Sequence, residues 1–136
     1  MSIKRTSHAR YELWYHIAWS TKYRKKVFTN DQSKQSVARL LGKIADKYGM
    51  EITELEVMSD HVHLLLSAPP RIAPSRAVQI LKSVSTKALF GFYPWLKRLY
   101  WGGELWVGGY FVRSAGPGLT KEDITRYIKE QSEESD

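Results

Sequence analysis

The predicted elements run strand, helix, strand, strand, helix, strand, with one more helix at the end. That order predicts an α+β domain of the ferredoxin-like (RRM-like) kind, an antiparallel sheet carrying both helices on one face. Three observations lead to it. "YELWYHIAWSTKY" alternates with a period of two, "TNDQSKQSVARLLGKIADKYG" and "PSRAVQILKSVSTKALFGF" carry apolar residues at helical spacing, and "MEITELEVMSDHVHLLLSAPP" breaks into two strands around a tight turn.

In the first strand, Leu13, Tyr15, Ile17 and Trp19 share one face, and Trp14, His16, Ala18 and Ser20 the other. The first helix can be capped by Thr29, Asn30 or Asp31, carries Val37, Leu40, Leu41 and Ile44 at helical spacing, and can end at Gly49. A turn at Ser59-Asp60 sets Met58 opposite His61 and Glu56 opposite His63. The second helix buries Ala77, Leu81, Val84 and Ala88, and turns Arg76, Gln79, Ser83 and Lys87 away. A Gly- and Trp-rich stretch follows and is expected to end in a strand from Trp106 to Arg113. "GPG" at 116–118 breaks the chain before a last helix with Thr120 as N-cap. The domain reading is a single unit over 1–136. Sheet and two helices occupy about 11–115, a terminal helix about 119–131, and an acidic tail 132–136.

Composition narrows the chemistry. There is no cysteine, which excludes disulfides, zinc ribbons and thiol nucleophiles. A metal would have to use His, Asp, Glu, Gln or water. The start lacks a signal-peptide pattern and no apolar stretch is long enough for a membrane, so a cytoplasmic protein is expected. Net charge is +7 although the last seven residues hold four acids and no base. The bases Lys22, Arg24, Lys25 and Lys26, and then Arg76, Lys82 and Lys87, are candidate contacts to DNA phosphates. Five Trp and eight Tyr accompany them, a mixture that suits single-stranded nucleic acid; a solubilising surface around an aromatic core would look the same.

His61 and His63 are two apart in "SDHVHLLL", so on a strand they face the same way and can converge on one ion. Val62, Leu64 and Leu66 point into the core, which leaves the histidines on the face without helices. Glu56 would lie on that face and could orient one of them. Taken alone, the pair is read more readily as a solvated sheet face that tolerates histidine, and two ligands are too few for a tight site. Tyr127 and Gln131, four apart on the last helix, share one face. They are a possible nucleophile and oxygen ligand. Ile124, Tyr127 and Ile128 also read as an ordinary packing stripe.

Taken together, "YHIAWSTKYRKKVF", "MSDHVHLLLSAPP", "LKSVSTKALF", "GYFVRS" and "ITRYIKEQ" resemble the TnpA transposases of small single-strand insertion sequences. These are HUH endonucleases with one catalytic tyrosine. The resemblance runs from about residue 11 to 131. It implies that His61 and His63 are metal ligands, Gln131 the third ligand and Tyr127 the nucleophile, with a divalent cation, Mg2+ or Mn2+. It implies cleavage and rejoining of single-stranded DNA at element ends through a 5′-phosphotyrosine, and recognition of imperfect hairpins. It also implies a homodimer in which one subunit's tyrosine helix can complete the other's site, an arrangement the "GPG" hinge suits. Glu56 is not among the motif residues. Two other functions stay open: a relative that processes chromosomal palindromes, and a non-catalytic nucleic-acid-binding domain. Against the latter, "HVHLLL" offers histidines and leucines where RNA-recognition domains carry paired aromatics.

Overall fold

The computed structural model describes residues 3–115 and 128–129. A short ribbon comes first: β1 (Lys4–Arg5) pairs antiparallel with β2 (Arg10–Tyr11), and Lys4 forms an ion pair with Glu51. The main sheet contains β3 (Trp14–Ser20), β4 (Glu51–Val57), β5 (His61–Ser67) and β6 (Phe111–Ser114). All its pairs are antiparallel and the spatial order is β4-β5-β3-β6. With α1 (Asp31–Lys47) and α2 (Pro74–Phe92), this is the ferredoxin-like arrangement that the sequence predicts.

The alternation decides which face is covered. Ile17 and Trp19 of β3 and Val62, Leu64 and Leu66 of β5 are buried against Val37, Leu41 and Ile44 of α1 and Ala77, Ile80 and Leu81 of α2. Both helices thus lie on one face. Asn30 caps α1: its side chain accepts from the Ser33 amide at 2.8 Å, and Ser33 Oγ accepts from the Asn30 amide. Gly49 ends the helix with φ of 76°, a left-handed conformation that favours glycine.

Two expectations are corrected, and one element is added. The buried stripe of α2 is Ala77, Val78, Ile80, Leu81, Ser85 and Leu89, while Val84 and Ala88 are half-buried. The reason is a third neighbour: Trp106 packs onto this helix and donates from Nε1 to Ser85 Oγ at 3.0 Å. The last strand begins at Phe111 rather than Trp106. Leu105, Trp106 and Val107 are buried, Trp106 meets Trp19 of β3 edge-on at 5.8 Å, and the Val107 amide donates to the Ser20 carbonyl at 3.0 Å, so this stretch packs as a plug against the end of β3, with a single bridge of Thr21 to Trp106 in place of a strand. A short helix, α3 (Pro94–Leu99), occupies part of the Gly- and Trp-rich stretch, with Pro94 at its first turn.

Candidate functional site

The open face of the sheet is built by residues that sit directly opposite one another. Ser20 pairs with His61, Ala18 with both His63 and Phe111, and Glu56 with His63. Met58 donates its amide to the His61 carbonyl at 2.8 Å, so the two-residue turn and the expected register of Glu56 are both present. His61 and His63 therefore lie side by side on the uncovered face, each partly buried.

A carboxylate holds each imidazole. His61 Nδ1 is 2.7 Å from Asp60 Oδ1, and His63 Nε2 is 2.8 Å from Glu56 Oε2. With Asp60 ionised, His61 Nδ1 is the donor, and Nε2 is the ring nitrogen left to face another partner. Asp60 in turn accepts from Arg24 Nε at 2.9 Å. Burial pushes the Asp60 carboxyl up. The hydrogen bond and charge of His61, joined by the Arg24 guanidinium, outweigh that effect and hold it below its usual value. For His63 the nitrogen not engaged with Glu56 is Nδ1.

The sequence marks Asp60 only as a turn residue, and Arg24 only as a candidate phosphate contact. Together they fix His61. The available signal was an acid immediately before the first histidine. The turn Lys22–Arg24 that delivers Arg24 is strained: Tyr23 and Arg24 have φ of 59° and 52°. Such left-handed conformations cost on the order of 1–2 kcal/mol per residue. Several bonds hold it in place. The Thr21 amide donates to the Asp60 carbonyl at 2.9 Å, Thr21 Oγ1 to the Lys25 carbonyl at 2.7 Å, and the Lys22 amide to the Leu105 carbonyl at 2.7 Å.

The other basic candidates are dispersed. Lys22 pairs with Glu104 at 2.7 Å, and Lys82 donates to the carbonyls of Val107 and Gly109 at 2.7 and 2.8 Å, a structural use. Lys25 and Lys26 are exposed beside the strained turn. Arg76 and Lys87 are exposed on α2, in the layer opposite the histidines.

The donor set fits a divalent cation in part. Two carboxylate-anchored imidazoles match the way metal-binding histidines are commonly oriented. Ser20 Oγ, on the strand pair beside His61, is fully buried without a hydrogen-bond partner among the described residues. No third His, Cys, Asp or Glu completes a metal cluster among the described residues. Tyr127 and Gln131 lie outside the described residues. The helical residue Ile128, next to Tyr127 in sequence, is buried against Ala18, with Phe111 packed on the same spot. Ala18 is the residue paired with His63.

Comparison with known proteins gives consistent results. The profile of the family described as "Transposase IS200 like" matches residues 9–131. The ISDra2 transposase TnpA of Deinococcus radiodurans is 40% identical over 121 residues, covering 89% of this chain and 85% of that one. The transposase of insertion sequence element IS200 from Salmonella typhimurium is 34% identical over 131 residues, covering 96% and 84%. A crystal structure of a Deinococcus radiodurans chain assigned as a transposase superposes with a TM-score of 0.82 at 38% identity, covering 94% of this chain and 97% of that one. A REP-associated tyrosine transposase bound to a REP hairpin superposes with a TM-score of 0.52 at 16% identity, covering 94% and 68%, and shares the fold.

Proposed function

The chain belongs to the IS200-like transposase family, and from that premise we propose that it cuts and rejoins single-stranded DNA with Tyr127 as nucleophile. One observation carries the reading beyond family membership. Ile128 buries against the residue paired with His63, so the chain next to Tyr127 is anchored on the face where both histidines stand.

In this reading Tyr127 Oη gives up its proton and attacks the scissile phosphorus. The P–O3′ bond breaks, the 3′ oxygen leaves and takes a proton, and a 5′-phosphotyrosine forms. The energy of the phosphodiester is thereby kept, so a free 3′-OH can later attack a phosphotyrosine linkage and rejoin DNA without ATP. His61, His63 and Gln131 would hold one Mg2+ or Mn2+. Such an ion polarises the phosphate and offsets charge on its oxygens. Asp60 and Glu56 keep the two imidazoles oriented, and neutral ligands leave the site positive toward an anionic substrate. Hairpins at element ends are the proposed target, and a homodimer sharing tyrosine helices the proposed assembly. The REP-hairpin complex of the 16%-identical neighbour is in keeping with hairpin recognition.

The test is a covalent-adduct assay with Mn2+ and labelled single-stranded DNA carrying an element end. The wild type should yield a DNA–protein adduct that EDTA abolishes, and Tyr127→Phe should yield none. Equal adduct from Tyr127→Phe would remove the tyrosine from the mechanism.

A further inference from the structure

The strained turn does more than deliver Arg24. It raises Tyr23 into solvent, 56% exposed, beside a cleft of about 350 Å3 lined by Lys22, Tyr23, Leu99, Tyr100, Trp101 and Glu104. Trp101 is 90% exposed, the most exposed of the large hydrophobic side chains among the described residues. Its indole lies open to solvent on the lining of the cleft, with a face available for stacking. The cleft is not loose: Tyr100 Oη donates to the Lys22 carbonyl at 2.9 Å, and the Lys22 amide is tied to Leu105. Cations surround it. Lys22 and Lys25 lie 5.6 and 5.8 Å from the Tyr23 ring centre, Lys25 is also 5.8 Å from that of Tyr100, and Lys97 and Arg98 end α3.

We propose that this cleft holds one unpaired nucleotide of the DNA strand, its base stacked on Trp101 and Tyr23 and its exocyclic amino group hydrogen-bonded to Glu104. The inference rests on the single-strand reading above and adds a subsite to it. Aromatic rings flanked by lysines suit a base and its phosphate, since every base has a face to stack and every nucleotide a charge. The volume sits at the low end of ligand pockets, which run about 300–1,000 Å3, the scale of a nucleotide rather than a helix. The Lys22 hydrogen bond and charge hold the Glu104 carboxyl below its usual range, so it is an acceptor only. It favours bases that present an amino group, cytosine above all, over thymine. The cleft and the histidines are joined through the backbone: Thr21 donates to Asp60, and Arg24 follows Tyr23 to bind the same residue. A base seated here would steady the carboxylate that orients His61.

The test measures binding of fluorescein-labelled oligo(dC) and oligo(dT) to the full chain by anisotropy, in EDTA so that no cleavage intervenes. The wild type should bind oligo(dC) more tightly. Trp101→Ala should weaken both by about five-fold or more, while Trp101→Phe, which keeps a stacking face, should retain most of the affinity. Glu104→Gln should bring the dC/dT ratio toward one. Wild-type affinity in Trp101→Ala overturns the subsite, as does a loss of self-association in that variant with binding intact, which would make the cleft a contact between copies. An unchanged dC/dT ratio in Glu104→Gln overturns the amino contact. If the wild type binds neither oligonucleotide but does bind single-stranded DNA carrying an element end, the subsite is overturned; if it binds none of the three, the single-strand reading itself fails.

Discussion

At the scale of single residues, His61 and His63 gain their meaning from what holds them. Asp60 has its carboxyl lowered from 3.8 in the folded state, by His61 and Arg24 acting against burial. A folded pKa below the unfolded one stabilises the fold above the unfolded value, and that contribution is lost as pH falls through the lower, folded value. Asp60→Asn should therefore be less stable than wild type at neutral pH and converge with it as pH drops below about 4. Urea midpoints across a pH series would show it; a constant gap at all pH values would contradict it. Strand alternation made His61, His63 and Glu56 legible, because counting back through a two-residue turn fixes register and face together. Asp60 and Arg24 escaped for the converse reason. Turn residues obey no period, and nothing in "TKYR" announces two consecutive left-handed residues.

Elements divide the same way. The helices α1 and α2 and the strands β3 to β5 were readable as elements because a helical or strand period runs through each, although Trp106 shifts the buried stripe of α2 and β4 slips in register. Asn30 is a case where the cap itself could be named, as one of three choices; Asn30→Ala should cost about 1 kcal/mol, measured by denaturant unfolding. "LWVGGYFV" misled because buried aromatics in a plug alternate much as a strand does, and α3 hid between Tyr93 and two glycines. The expected last helix, with Tyr127 and Gln131, lies outside the described residues except at Ile128 and Lys129. Ile128 offers its own test. Ile128→Ala empties a buried site, for about 2 kcal/mol or more, and should lower adduct yield while single-strand binding persists. Unchanged adduct kinetics would mean that this seat is not used in the reaction.

Across the whole molecule, the excess of positive charge was legible and its distribution was not. Lys22, Arg24 and Lys82 make bonds within the fold, Lys25 stands beside the aromatic cleft, Lys26 is exposed after the strained turn, and Arg76 and Lys87 lie on the far layer. A linear sequence cannot tell a lysine that ties a loop from one that meets phosphate. Among the described residues no helix is long and apolar enough to cross a membrane. The sheet also ends somewhere, and its two ends differ. On one side β6 has only four residues. On the other, β4 carries Glu51, Glu54 and Glu56, and its pairing with β5 slips between Ile52 and Glu54. A bulged border strand studded with like charges is a poor template for another strand, because a copy laid against it meets repulsion and broken register. Glu54→Val should accordingly leave the fold intact and raise aggregation on storage, followed by light scattering. That irregularity in β4 works as a guard against fibre growth, at the rim of the same sheet whose open face carries the two histidines.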